Sequence, residues 1–282
     1  MIRWISNLKK SYYRNKNFRE FQESGLKSRV GDLPYSVDKV EQSFIDNGFA
    51  VEPYIIDEKM YGDYHAKFEN KYAGYGKYRH EKALEHFVSF QFCDLNSESK
   101  VIDVANAGSG FPDILNNIFG CKVWSNDLDF KPGIRKVNDW HTRVGCDACH
   151  LPVDDNYFDL MVLHCALEMF EGESDIGLVK EASRVLKPGG KLVIIPLYMN
   201  EIYHVLRDPR SPRYPLPKID EGAQLIYRDE FHEVAFARFY NPGAFKSRLV
   251  DGQQLKVQIL KVENNKEIDQ SCYLKWIGIF EK

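Results

Sequence analysis

Two hydrophobic periods divide this chain. From about residue 100 onward, short runs of β-branched and aliphatic residues alternate with stretches whose apolar positions repeat at helical spacing. Such alternation predicts a mostly parallel sheet covered on both faces by helices. Strands are expected at Val101–Val104, Lys122–Ser125, around Val144, at Tyr157–His164 and at Lys191–Pro196. A helix is expected over about Pro112–Phe119. Another should run from an N-cap at Ser174 to Leu186, with Leu178, Ala182, Val185 and Leu186 inward. Gln254–Val262 and Cys272–Phe280 read as an antiparallel pair that ends the sheet.

Upstream of residue 100 the pattern is less regular. Ala83, Leu84, Phe87, Val88 and Phe92 recur near helical spacing and predict a helix over about Arg79–Phe92. Segments 36–47 and 54–70 look helical in part, although Gly48, Gly62 and Gly74 interrupt them. The first nineteen residues hold six Lys or Arg and no acid, with apolar positions 1, 4, 5, 8 and 12 on one helical face. A helix of this kind suits peripheral contact with an anionic membrane through residues 1–19. A helix packed on its own domain, or a frayed terminus, is the reading we favour. The expected organisation is a mainly helical extension or cap over 1–74 and an α/β domain over 75–282. An irregular, proline-spaced insertion at about 198–241 is too long for an ordinary connection.

Chemistry concentrates where the first of these strands ends. Lys100 to Phe111 reads KVIDVANAGSGF, so the side chains shrink sharply after Val104. Pro112 then suits the first turn of a helix. Strand, tight turn and helix N-terminus together form a cradle for a nucleotide-like cofactor. Asp127 stands just past the second strand, placed to accept hydrogen bonds from ribose hydroxyls. Asp147 ends the third. Two longer runs follow, DACHLPVDDNYFDLMVLHCALEMF over 147–170 and EASRVLKPGGKLVII over 181–195.

These runs resemble the class I S-adenosylmethionine-dependent methyltransferases, especially the small-molecule group. That family shows D-A-x-x-L-P-x-x-D-x-x-F-D before its fourth strand and R-V-L-K-P-G-G after it. The matches here are Asp147, Ala148, Leu151, Pro152, Asp155, Phe158 and Asp159, then Arg184 through Gly190. The resemblance covers about residues 80–200. It departs at the family's D-x-G-x-G-x-G loop, where Ala105, Ala107 and Ser109 replace the three glycines and Gly108 and Gly110 flank the last.

The resemblance implies a Rossmann-like, doubly wound, mostly parallel sheet with a C-terminal antiparallel hairpin. It also implies S-adenosylmethionine as cofactor. By position, Asp103, Ala105 and Gly108, with Ser109 in the same loop, would contact the methionine moiety. Asp127 would hold the ribose, Leu128 would lie against the adenine, and Asp147 with Ala148 would meet the adenine edge. The 198–241 insertion falls on the acceptor side. A hydroxyl acceptor also needs a base. His164 and Glu168 after the fourth strand, and Tyr198, Glu201 and His204 after the fifth, are the candidates, with Glu230 and His232 farther out. His164 equally suits a hydrogen-bonded histidine at a strand end. His204 falls in a helical-looking run.

Composition narrows the choice. The 282 residues are 44% hydrophobic and 28% charged, which is ordinary for a globular protein. A net charge of −3 leaves no electrostatic footprint for nucleic acid. No apolar run reaches membrane-span or signal-peptide length. Six scattered cysteines suit reduced thiols and a cytoplasmic location. Cys146 to His150 matches the C-x-x-C-H pattern of haem attachment, but its Asp-Ala pair is already explained by the cofactor site, and no metal is expected. RDPRSPRYPLPK (207–218) sets Arg207, Arg210, Arg213 and Lys218 among prolines, as in a semi-rigid cationic lid for a phosphate or acidic sugar or equally in an ordinary solvated loop. The expected reaction is methylation of a small acceptor, first a hydroxyl of a sugar or surface-polysaccharide precursor. A phosphorylated or phosphonate-like metabolite is the alternative. A nicotinamide-dependent oxidoreductase and a non-catalytic cofactor-binding module are the rivals from other classes.

Overall fold

The computed structural model describes residues 2–24, 33–228 and 234–282. In chain order the main elements are α1 (Ile2–Ser24), α2 (Val37–Asp46), β1 (Val51–Tyr54), α3 (Glu58–Tyr72), α4 (Arg79–Ser89), β2 (Lys100–Val104), α5 (Phe111–Phe119) and β3 (Lys122–Asn126). They continue as β4 (Gly133–Lys136), β5 (His141–Gly145), β6 (Phe158–His164), α6 (Ser174–Val185), β7 (Leu186–Ile195), β8 (His204–Arg207), β9 (Gln224–Tyr227), β10 (Ala237–Phe239), β11 (Lys256–Val262) and β12 (Trp276–Glu281). Among these described residues no helix is long and apolar enough to cross a membrane. The chain divides into two compact units. The larger is Gly48–Leu167, Ile176–Leu197 and Leu249–Lys282, and the smaller is Met1–Asn47, Glu168–Asp175 and Tyr198–Arg248. The boundary therefore differs from the expected cut at residue 74, because β1 and α3 belong with the sheet.

The larger unit is built on a nine-stranded sheet of order β1-β11-β12-β7-β6-β2-β3-β5-β4. From β7 to β5 all neighbours are parallel. β12 lies antiparallel between β7 and β11, as the terminal pair predicted. The chain leaves β2 toward β3 and β5 on one side and returns through β6 and β7 on the other. That reversal opens a crevice at the carboxyl end of β2, where ligands bind in open α/β sheets. β6 is apolar along nearly its whole length because both its faces are covered. Its Leu160 and Val162 join Val101, Val193, Ile195, Leu84, Phe87 and Ile114 in one buried cluster. Asp57 caps α3 by accepting from the Met60 N–H at 2.8 Å. Gly120, at φ 69°, ends α5 in the left-handed conformation that glycine adopts cheaply.

The motif residues stitch this sheet together. Arg184 donates to the Leu151 and Val153 carbonyls and to Asp155 and Glu181. Lys187 reaches both oxygens of Asp159 at 2.7 and 2.8 Å, and Asp159 also accepts from the Lys100 N–H. A Cβ on Gly190 would sit 2.9 Å from the Lys187 carbonyl oxygen, so only glycine fits.

Two edge strands escaped the sequence reading. β1 was not expected, since Pro53 interrupts its four residues, yet it pairs in parallel with β11. β4 is exposed along its length and shows no apolar alternation.

The smaller unit carries a three-stranded sheet of order β10-β8-β9. Its strands occupy the stretch expected to be irregular, and His204 stands on β8 rather than on a helix. That correction has a simple cause: all four β8 residues are buried, and so short a buried run carries no period. On α1, Tyr13 stacks on Tyr214 with ring centres 4.7 Å apart, and Asn17 donates to the Ser211 carbonyl at 2.7 Å. Tyr13 and Asn17 thus pack inside their own unit, whereas Leu8 and Tyr12 on the expected apolar face are exposed. Arg238 is fully buried and touches Asp175, Asp220 and the carbonyls of Phe170 and Gly172.

Candidate cofactor site

At the carboxyl end of β2 the backbone makes an uncommon turn. Ala105 and Ala107 hold φ of 53° and 50°, and Gly108 holds 79°. Alanine in this left-handed region costs about 1–2 kcal/mol, so the loop keeps a glycine-like shape against the preference of its side chains. Asn106 enforces it. Its side chain bonds the Asp103 carboxylate, reaches Ser109 Oγ at 2.8 Å and accepts from the Gly108 N–H at 3.0 Å. A Cβ on Gly108 would meet nothing within 4 Å, so the outer side of the loop is open. A Cβ on Gly110 would instead meet the Lys71 side chain at 3.3 Å, and Lys71 pairs with Asp113 in the first turn of α5.

The three predicted acids divide into two kinds. Asp103 is 2% exposed and points inward. Its carboxylate meets His164 Nδ1 at 3.2 Å as well as Asn106. Asp127 stands beside the loop, where one oxygen accepts from the Ala107 N–H at 2.8 Å and the other from the Asp129 N–H at 2.9 Å. A carboxylate offers about four lone-pair sites, so room remains for hydroxyl donors. Asp147 is exposed and accepts from the Cys149 N–H at 2.9 Å, while Ala148 is buried beneath it. Between these acids in sequence, Leu128 is 78% exposed, a large apolar side chain left open after a strand end. Asp103, Ala105, Gly108, Ser109, Asp127, Leu128, Asp147 and Ala148 therefore all belong to the larger unit.

The three expected catalytic groups do not stand together there. His164 is in the larger unit, with both ring nitrogens engaged: Nδ1 by Asp103 and Nε2 by Ser89 Oγ at 3.0 Å. Its ring packs against His86 and Phe111, each with centres 4.6 Å away. Burial, and then the neighbouring His164, holds His86 well below the usual histidine range. His86 in turn meets the Tyr72 hydroxyl at 3.0 Å. Glu168 and His204 belong to the smaller unit. His204 is buried, its Nδ1 lies 2.8 Å from the Ile202 carbonyl and its ring stacks on Phe239. Burial lowers its pKa although that carbonyl opposes the shift. Glu201 forms an ion pair with Lys39, and Tyr198 packs on Phe239. Glu230 and His232 lie outside the described residues.

The arginines expected in a cationic lid have partners within their own unit. Arg207 is buried and donates to the Ala235 and Pro217 carbonyls. Arg210 lies over Phe18, and Arg213 is paired with Glu171. Lys218 is exposed. Sequence reasoning missed Ser89, Asn106 and Ala107 as residues that hold the loop after β2 and the histidine beneath it. Ala107 was visible as a departure from the glycine pattern, whereas nothing in the local sequence joins Ser89 to His164.

Residues 102–194 match the family model described as a methyltransferase domain. The match runs from β2 to β7, so this part of the chain is similar to a methyltransferase domain. The nicotinamide-dependent reading is thereby set aside. No curated protein matches the chain. Among solved structures, the chain is similar to the YcgJ protein from Bacillus subtilis at 16% identity, with 41% of this chain and 51% of that one covered and a TM-score of 0.35. It is also similar to the 1,6-didemethyltoxoflavin-N1-methyltransferase of Burkholderia thailandensis at 13% identity, with 82% and 93% covered and a TM-score of 0.49. A phosphoethanolamine N-methyltransferase from Haemonchus contortus aligns at 20% identity over 43% and 28%, with a TM-score of 0.34. The aligned part spans about half the length of the first solved structures that the chain matches.

Proposed function

We propose that this protein transfers a methyl group from S-adenosylmethionine to a small acceptor, with a hydroxyl of a sugar or polysaccharide precursor as the preferred class. The observation that carries the reading is the strained Ala105–Gly108 turn with the Asp127 carboxylate beside it and the exposed Leu128 next in line. These residues fit the cofactor: an open backbone turn for the methionine end, a carboxylate with spare lone pairs for the ribose and an apolar side chain for the adenine. When bound, S-adenosylmethionine supplies an activated methyl group on a sulfonium. The protein's part is then alignment and exclusion of water.

Asp103 and His164 are assigned to positioning. They brace the loop from beneath, and neither ring nitrogen of His164 is left for an acceptor proton. Glu168 remains the candidate base for a hydroxyl acceptor. His204, tied to its own backbone neighbour, is not retained. A phosphorylated acceptor is less favoured because three of the four cations meant to receive it have partners of their own.

Two measurements test the proposal. Calorimetric titration of S-adenosylhomocysteine should show binding that weakens about ten- to a hundred-fold in Asp127→Ala, the loss of a hydrogen-bonded charge worth roughly 1.5–3 kcal/mol. Unchanged affinity in that variant sinks the ribose assignment. Incubation with radiolabelled methyl donor and a panel of monosaccharides and nucleotide sugars should then label a hydroxyl acceptor. Tight cofactor binding with no label on any of them would favour the non-catalytic module.

A further inference from the structure

The segment that follows Asp127 holds a group of cations that the cofactor reading does not use. β4 and β5 form an antiparallel pair in which Arg135 and Arg143 are direct partners. Residues directly opposite share one face of the ladder, and like charges there repel. Lys131, in the loop before β4, brings a third positive charge. Together these three side chains line a pocket of about 180 Å³ whose remaining walls are Phe130 and Asp129. The Arg143 guanidinium lies 5.3 Å from the centre of the Phe130 ring. Its Nε–H is buried and donates to nothing among the described residues. Asp129 sets one negative charge against three positive ones, and its side chain is exposed.

Such an arrangement is unfavourable when empty of counter-charge. A repelling arginine pair raises the energy of the free protein, and one ligand with several acceptor oxygens would relieve it. Planar guanidinium groups match the oxygens of a phosphate group, and a lysine adds a point charge. The volume is below the roughly 300 Å³ at which sites for whole drug-sized ligands begin, which suits one anionic group rather than an entire metabolite.

We propose that Lys131, Arg135 and Arg143 form a binding site for a phosphate-type oxyanion, supplied as free inorganic phosphate or as the phosphate of a small phosphorylated metabolite. The site stands on the β4–β5 pair, and none of its three cations is assigned to the methyl donor. It therefore does not depend on the methyl-transfer reading.

Calorimetry on the full chain tests it, with sodium phosphate titrated into chloride buffer at matched ionic strength. The parent should bind phosphate saturably, and Arg135→Ala and Arg143→Gln should each weaken that binding roughly tenfold or more. Arg135→Ala also removes the repelling pair. In phosphate-free buffer its melting temperature should match or exceed the parent's, while phosphate should raise only the parent's. This arm keeps the test decisive even where Arg143→Gln fails to fold. Lys122→Ala, on a different strand, should bind phosphate as the parent does. Glucose 1-phosphate binding more tightly than inorganic phosphate would assign the pocket to a phosphorylated metabolite, and weaker binding would assign it to the free anion. Absence of saturable phosphate binding in the parent overturns the proposal, as does equal affinity in Arg135→Ala.

Discussion

The two units of this protein differ in what they bury beside their apolar side chains. In the larger one, parallel strands meet through Val101, Leu160, Val162 and Val193, all fully buried and apolar. In the smaller one, apolar side chains such as Phe44, Val205 and Phe245 are also fully buried, and a charge network is buried beside them. There Arg238 joins Asp175 and Asp220, Arg248 joins Asp175 at 2.7 Å, Tyr240 donates to Asp175 and Tyr203 donates to Asp220. Apolar packing is non-directional and tolerates substitutions of similar volume. A buried ion network is not tolerant, because removing one partner leaves another charged and unsolvated. The two regions should therefore fail differently when perturbed.

The sharpest way to break this comparison is Arg238→Met. It keeps much of the volume but strands Asp220 without its main partner, and loss of one member of a buried pair costs about 3–5 kcal/mol. Urea denaturation should show a loss as large as that of Leu160→Ala in the larger unit, where truncation costs about 2–5 kcal/mol. A cost below about 1 kcal/mol for Arg238→Met would mean that apolar packing holds both units alike.

The larger unit has an exception of its own in Glu81, fully buried on α4 and accepting from the Tyr273 N–H at 2.7 Å. Burial, and then the neighbouring Glu85, pushes its carboxyl up to about 8. The folded state thus holds a proton that the unfolded chain releases near the ordinary glutamate value of 4.5. Stability from this group is fully present below that lower value and is lost as pH rises through about 8. One pKa unit is about 1.4 kcal/mol, so denaturation between about pH 5 and 9 should show the parent losing about 3–4 kcal/mol relative to Glu81→Gln. Parallel pH profiles for the two proteins would remove Glu81 from the account.

The same contrast explains what could be read from sequence. β2, β3, β6 and β7 were legible because each is an apolar run bounded by turn residues, and both its faces are covered. The family motif was legible because Arg184, Lys187 and Asp159 stitch loops near one another in the chain. Asp127 and Asp147 were legible as acids placed at strand ends. Arg238 was not, since its partners lie at 170, 172, 175 and 220 and no local period joins them. Nor was the inward role of His164, which depends on Ser89, far back in the sequence on α4. β1 and β4 were missed for lack of apolar alternation, the former broken by Pro53 and the latter exposed throughout.

The smallest expected effect concerns strain rather than burial, at one of the larger unit's non-glycine residues with left-handed backbone. Ala107 sits at φ 50° with its N–H on Asp127 and its side chain exposed, so substitution removes little contact. Replacing it with glycine relieves about 1–2 kcal/mol of left-handed strain. Glycine also gives the unfolded chain extra freedom, which offsets about 0.4–1 kcal/mol. The net expectation for Ala107→Gly is a gain of up to about 1 kcal/mol in urea denaturation. Affinity for S-adenosylhomocysteine should stay within a few-fold of the parent, because glycine keeps both the N–H and the turn. A destabilised Ala107→Gly would show that the methyl group packs against something the turn needs. A gain in stability with lost affinity would instead show that the alanine holds the loop in the shape that the ligand requires.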